Sequence, residues 1–276
     1  MCYLQSMKLV FCLFLSVISI SAFAQNRVFV VEDSISGEYS SFSVDNFGRV
    51  YLCQEDVVEL YYDQNDTVFT ASLKSFRPTS MESSKSFRTL LFDQERSVLH
   101  FFDNTLTDLH GEINLVDQDI QQPILVCESF AGNNFWVLDG GMMRLIKLNK
   151  DLQFITQIEN LVALFDHDEL PSQMVEYNDF LYILIPNKGV AIFDIFGTFI
   201  KIYPTKATAI GVLNDYLLLQ TGNKIEAVKN DAFLMAEFTY DIPPGVKAFY
   251  FSNRKVYFLL ESTLLIGQYQ KINSKK

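Results

Sequence analysis

Cysteine is scarce, with four residues in a chain of 276, and a fold built on disulfides is excluded because its framework would need many more. Glycine and proline are thin as well: 12 and 7 are present, where average usage would supply about 33 between them. Collagen-like and low-complexity chains are therefore excluded. Tight turns must draw on Asn and Asp instead, as Asn133-Asn134, Asn178-Asp179 and Asn214-Asp215 suggest. Positive charge is short, with 22 Lys and Arg against 33 Asp and Glu for a net charge of −11. A phosphate backbone would find no clustered cations, so nucleic acid is not an expected partner. Beyond residue 24 no apolar run reaches the roughly 18 residues of a membrane span. Local catalytic signatures are missing too: there is no G-x-S-x-G elbow, P-loop, G-x-G-x-x-G, C-x-x-C or H-x-x-x-H. The three histidines, His100, His110 and His167, lie in different segments and give zinc no local signature.

What is present begins with an address. Met7-Lys8 forms a short positive region, residues 9–20 are apolar, and Ala22-Phe23-Ala24 ahead of Gln25 offers the small residues a signal peptidase accepts. The expectation is a signal peptide over residues 1–24, cleaved after Ala24, with Met7 the better start. The apolar run is shorter than the roughly 20 residues a transmembrane anchor requires. Position 25 is Gln rather than Cys, which argues against a lipid anchor. Processing removes one Lys and no acid, taking the charge from −11 to −12. The Ala-x-Ala-Gln ending resembles the signal peptides of Gram-negative bacteria, which implies a secreted or periplasmic protein. An oxidising compartment permits a bridge between the two remaining cysteines, Cys53 and Cys127, but both sit in apolar strand-like runs and read as small buried hydrophobes.

The 49% of hydrophobic residues can bury a sizeable core, and 25 Phe, 13 Tyr and 1 Trp favour β-structure over helices. One phrase recurs six times: an apolar approach, a polar turn, a β-branched or aromatic doublet, a second polar turn and another apolar strand. The copies begin at residues 42, 90, 132, 175, 212 and 249. Aligning the doublets puts Tyr51, Leu99, Trp136, Tyr182, Leu217 and Tyr257 in register, at spacings of 48, 37, 46, 35 and 40 residues. The average of about 41 falls in the range of propeller blades. Short strands separated by regular turns fit a β-sandwich as well, which stays open as the structural alternative.

The first copy, Asp45-Asn46-Phe47-Gly48-Arg49-Val50-Tyr51-Leu52, fits the pattern D-x-x-G-x-[VI]-Y-[LV] and resembles the six-bladed β-propellers of the NHL and related families. The resemblance spans most of residues 28–270. It implies an all-β, six-bladed β-propeller, with residues 25–276 as a single domain. Such a ring must be fastened. Val28-Phe29-Val30-Val31 has no partner of its own and is expected to complete the last blade beside Leu264-Leu265-Ile266.

Two stretches interrupt the pattern. Residues 72–88 carry Lys74, Arg77, Lys85 and Arg88 among serines and read as a solvated loop between blades, with contact to an anionic partner as the less ordinary reading. Ile158, Leu161, Val162 and Phe165 have helical spacing and predict a short amphipathic helix plugged against the ring. Asp166-His167-Asp168-Glu169 lacks the spacing of a calcium loop and reads as a solvated turn. Asn65-Asp66-Thr67 matches a glycosylation acceptor but reads as a turn in a bacterial chain.

Lactonase-like propellers hold a central calcium ion with acids and amides from several blades. Glu128, Glu176, Asn178 and Asn214 are of that type here, but no motif aligns them, so neither a metal nor a cofactor is assigned. In propellers resembling this chain the turn after the doublet strand opens on the side most used for ligands. Those turns gather Glu55, Asp56, Asp103, Asp139 and Glu261 against Lys188, which implies an acidic binding face for a basic protein surface or a cation. The expected function is a secreted or periplasmic, non-catalytic binding or scaffold propeller, capturing a protein or polymer partner, with a part in an envelope assembly as a third reading. The alternative is a calcium-dependent hydrolase or lyase on the same fold.

Overall fold

The structure, a computed structural model, describes residues 27–62, 67–74, 76–83, 87–130, 134–165, 169–230 and 235–271. Its strands group into six four-stranded antiparallel sheets, not the two facing sheets of a sandwich. The first strand, β1 (Arg27–Ser36), stands apart from the sequence-local sheets. Blade 1 comprises β2 (Ser41–Val44), β3 (Val50–Gln54), β4 (Val57–Tyr61) and β5 (Thr67–Ser72), and blade 2 comprises β6 (Ser80–Glu82), β7 (Arg88–Asp93), β8 (Val98–Asp103) and β9 (Asp108–Asn114). Blade 3 follows with β10 (Pro123–Glu128), β11 (Phe135–Asp139), β12 (Arg144–Leu148) and β13 (Phe154–Ile158), and blade 4 with β14 (Gln173–Tyr177), β15 (Phe180–Ile185), β16 (Gly189–Asp194) and β17 (Phe199–Tyr203). Blade 5 holds β18 (Ala209–Leu213), β19 (Tyr216–Thr221), β20 (Lys224–Lys229) and β21 (Ala236–Asp241); β22 (Ala248–Phe251), β23 (Val256–Leu259) and β24 (Thr263–Lys271) build blade 6. The first strands of neighbouring blades touch one another around the ring, so they line a central channel.

Second and third strands carry the repeat that is visible in the sequence because they are sandwiched between blades. Strands β11, β12 and β23 are buried along their whole length, and β15 and β16 nearly so, giving largely apolar runs. Six apolar clusters fill the six spaces between adjacent blades: Trp136 packs with Phe193 and Leu181 between blades 3 and 4, and Leu52 with Tyr257 and Leu264 between blades 1 and 6. Fourth strands are half exposed, and in blades 1 to 5 each carries a register shift against the third strand near its start.

The ring closes as expected, through β1 added to the outside of blade 6. The register is displaced from the sequence reading. Val28 to Val31 face Gln270 to Gly267, while Leu264 to Ile266 face Ile35 to Asp33, because β1 runs ten residues rather than four. Blade 2 also differs. Its first strand is Ser80–Glu82, inside the stretch read as a solvated loop, so Leu90 lies in the second strand and Leu99 in the third. Three polar-rich residues facing a channel leave no apolar signature. The helical spacing at 158–165 yields only one 3-10 turn, Leu161–Ala163. Leu161 and Phe165 do plug the space between blades 3 and 4, whereas Val162 is exposed. Cys53 and Cys127 are buried in blades 1 and 3 and are not bridged to each other. Residues 1–26, 65–66 and 166–168, with the expectations that rest on them, lie outside the described residues.

Candidate functional site

Antiparallel order puts all turns between first and second strands, and between third and fourth, on one face of the ring. The turns between second and third strands, and the connectors from blade to blade, occupy the other face. On the first face one turn recurs four times, at residues 45–49, 103–107, 149–153 and 194–198. In each, an Asp or Asn opens the turn and its Oδ1 accepts the backbone N–H groups two and four residues on. Asp45 takes Phe47 at 2.9 Å and Arg49 at 3.0 Å; Asp103 takes Thr105 at 2.8 Å and Thr107 at 2.9 Å. Asn149 takes Asp151 and Gln153, both at 2.9 Å, and Asp194 takes Phe196 at 2.9 Å and Thr198 at 2.8 Å. The fourth position is left-handed: Gly48 (φ 82°) and Gly197 (φ 88°) in two copies, Leu106 and Leu152 in the others. The third position is the exposed apex, occupied by Phe47, Thr105, Asp151 and Phe196.

Aromatic residues gather on this face. Phe47 is 66% exposed and lies against Phe87, with ring centroids 5.4 Å apart. The Arg49 guanidinium spans Phe47 and Tyr62 at 5.4 and 5.2 Å, donates to the Tyr62 hydroxyl at 2.9 Å, and pairs with the Asp45 carboxylate. Across the ring Phe130 contacts Tyr177 at 4.8 Å. Two of these turns are pinned by one buried pair. Glu176 accepts from the Phe130 N–H at 2.7 Å, the Ser129 hydroxyl at 2.7 Å, Trp136 Nε1 and Lys147 Nζ at 3.0 Å. Lys147 also donates to the Ile195 carbonyl at 3.3 Å, next to the Phe196 apex.

Inside these turns lies a cavity of about 1240 Å³, running down the channel and lined by Phe42, Tyr177, Phe249, Tyr250 and Tyr257 among others. Its turn residues, such as Asn46, Phe47, Asn214 and Asn253, all belong to the aromatic face, so the cavity opens there. Burial pushes the Tyr250 hydroxyl pKa up, and Tyr177, Asp45 and Glu82 add to the shift, which places groups from blades 1, 2, 4 and 6 around one space. Burial, with Tyr250 and Asp45, pushes Tyr257 up to about 12. Both hydroxyls are therefore neutral hydrogen-bonding groups at ordinary pH.

The five acidic positions expected to share a face do not. Glu55 and Asp56 lie in the second turn of blade 1 and Glu261 in that of blade 6, with the Glu261 side chain 83% exposed and bonded to Lys247 at 2.7 Å. Asp103 lies on the opposite, aromatic face, as a consequence of the displaced alignment in blade 2. Asp139 is fully buried, accepting from the Gln122 and Gly141 N–H groups and from Arg144 Nε at 3.1 Å, so it fastens a turn and has no surface to offer.

Glu128 and Glu176 are also structural: Glu128 accepts from Arg88 Nε at 2.6 Å, and Glu176 is the anchor described above. Asn178 and Asn214 serve as left-handed turn residues. Among the described residues no group of three His, Cys, Asp or Glu is arranged to hold a metal ion. His100 and His110 lie in β8 and β9 and do not line the cavity. No described helix is long and apolar enough to cross a membrane. Sequence reasoning missed the aromatic apices. The signal was present, since Asp-x-Phe-Gly occurs at residues 45–48 and again at 194–197.

No protein-family model matches the chain, and no curated protein sequence matches it. Solved structures resemble it in fold. A streptogramin B lyase superposes with a TM-score of 0.60 at 15% identity, covering 92% of this chain and 91% of that one. A virginiamycin B lyase from Staphylococcus aureus gives 0.61 at 14%, covering 87% and 100%, and the same enzyme is known with quinupristin as a catalytically inactive histidine-to-alanine variant. BamB from Moraxella catarrhalis gives 0.54 at 7%, covering 88% and 100%. These likenesses show the β-propeller fold alone, and the count of six blades comes from the strand topology.

Proposed function

We propose that this chain is a secreted or periplasmic, non-catalytic binding propeller that engages a protein or polymer partner through its central cavity. The observation that carries the reading is the cavity mouth. It combines a large open volume with convergent aromatic rings and neutral tyrosine hydroxyls, while Asp45 and Glu176 are held by the chain's own Arg49 and Lys147. Such a lining is suited to contact and orientation rather than proton transfer. The leader-like residues 1–24 support the envelope as its compartment.

A calcium-dependent hydrolase or lyase on the same ring is the alternative, favoured by the fold shared with two lyases. Among the described residues neither His100 nor His110 lines the cavity, so neither offers it a histidine base. The test is partner capture from native envelope extracts, quantified by mass spectrometry. Tyr177→Ala with Tyr250→Ala should lose the partners that the wild-type chain enriches, and Tyr250→Phe should retain them. Equal recovery by the double variant, or a rise in melting temperature on adding calcium, would contradict the reading.

A further inference from the structure

We propose that the aromatic face docks on the surface of a lipid bilayer, with Phe47, Phe87, Phe196 and Met235 inserted among the lipids. Among the described residues these are the most exposed large apolar side chains, at 66%, 64%, 73% and 68%. All four stand in turns of the same face, whereas the most exposed apolar side chain of the opposite face is Val162 at 54%.

The architecture does not require them. The turn that presents Phe47 and Phe196 is built with the same hydrogen bonds around Thr105 and Asp151, so a polar apex folds equally well. Exposed phenylalanine at that position therefore answers to something outside the chain.

The arrangement selects the occupant. The four tips come from blades 1, 2, 4 and 5, on both sides of the channel. Polar turns separate them, with Asn178-Asp179, Asn214-Asp215 and Asn253-Arg254 in between. A protein partner would call for a contiguous apolar core with matching shape. A bilayer accepts separate protruding tips without complementarity and solvates the polar turns at headgroup level.

Charge does not select between the faces. Lys150, Arg254 and Lys255 stand beside Asp151, Asp179 and Asp215 on the aromatic face, and the other face mixes Glu55, Glu95 and Glu261 with Arg96, Lys188 and Lys247. Adhesion therefore rests on the apolar tips rather than on charge. Phe199 and Ile200 in β17 extend the apolar surface from the Phe196 tip down the outside of blade 4.

Phe47 stands at the cavity mouth as well as among the tips, so the cavity is tested at Tyr177 and Tyr250 and the docking surface at Phe47 together with Phe196, which lies outside the cavity lining. Purified chain from Gln25 onward is mixed with vesicles of phosphatidylethanolamine and phosphatidylglycerol and sedimented. The wild-type chain should sediment with the vesicles, and salt should leave the bound fraction nearly unchanged. Phe47→Ser with Phe196→Ser should weaken vesicle affinity by about tenfold, with an unaltered melting curve. Thr105→Phe should strengthen it by adding a fifth tip, Val162→Ser should change nothing, and Tyr177→Ala with Tyr250→Ala should still sediment. Wild-type chain left in the supernatant at excess lipid, or a double variant that sediments equally, would overturn the proposal. So would sedimentation velocity showing that the same two phenylalanines hold a lipid-free dimer which vesicles do not dissociate, since the face would then be a protein interface.

Discussion

The two faces of the ring divide their residues in opposite ways. On the face of second turns and blade connectors, the exposed side chains are mostly charged or polar, and the best-connected carboxylate, Asp139, is turned inward to hold Arg144 and three backbone N–H groups. On the other face the carboxylates Asp45, Asp103 and Asp194 are also engaged in turn building, and aromatic apices are what remain for contact. Charge in a turn thus says little about binding when a capped turn accounts for it. An exposed apolar residue that the turn does not need says more.

The widest separation between structural and presented groups should come from the buried carboxylates. Glu176→Ala leaves Lys147 without its counter-charge and Trp136 Nε1 without an acceptor, and Asp139→Ala leaves the buried Arg144 only the exposed Asp119 carboxylate, at 3.9 Å, as counter-charge. Each should lower unfolding free energy by about 3–5 kcal/mol in urea titrations. A loss below about 1 kcal/mol would show that these pairs are not what fixes the turns. Glu176→Gln keeps an acceptor, and should instead raise hydrogen exchange at the Phe130 amide.

A smaller effect is expected from the capped turns. Asp194→Ala should cost about 1 kcal/mol, as loss of a side-chain cap does. Burial pushes the Asp194 carboxyl up, but the N–H groups of Thr198, Phe196 and Gly197 and the Thr198 hydroxyl outweigh it and hold the pKa below the ordinary value. Because the folded pKa is depressed, the stability it confers is present above the unfolded-state value of 3.8 and is lost as pH falls through the folded one. Asp194→Asn should flatten that acid limb in melts taken at descending pH; an unchanged limb would place the acid sensitivity elsewhere.

Exposed residues should move stability least while differing in function. Phe47→Ser and Phe196→Ser should stay within about 0.5 kcal/mol of wild type. Neutralising Glu55, Asp56 and Glu261 should be at least as silent, because the Glu261–Lys247 pair is solvent-exposed. If that neutralised variant loses its partners in a salt-sensitive way, the acidic face rather than the aromatic one is the binding surface.

Much of the ring was legible because second and third strands are buried on both sides and must be apolar, as Trp136, Tyr182 and Leu217 are. First strands face a channel, and β6, Ser-Met-Glu, carries no apolar pattern, which displaced the reading of blade 2 by one strand and moved Asp103 to the wrong face. Burial of Asp139 was illegible for another reason: nothing local distinguishes a carboxylate that caps a turn from one that faces solvent until Gln121, Gln122 and Arg144 are seen to converge on it. The aromatic apices were readable in principle from the repeated Asp-x-Phe-Gly, had exposure been weighed against turn chemistry.

The most direct test of the division between faces is site-specific photo-crosslinking in living cells. A benzophenone side chain placed at Tyr177 or Phe130 on the aromatic mouth, and separately at Glu55 or Glu261 on the acidic face, should give discrete adducts only from the first pair. Adducts confined to Glu55 and Glu261 would contradict the account.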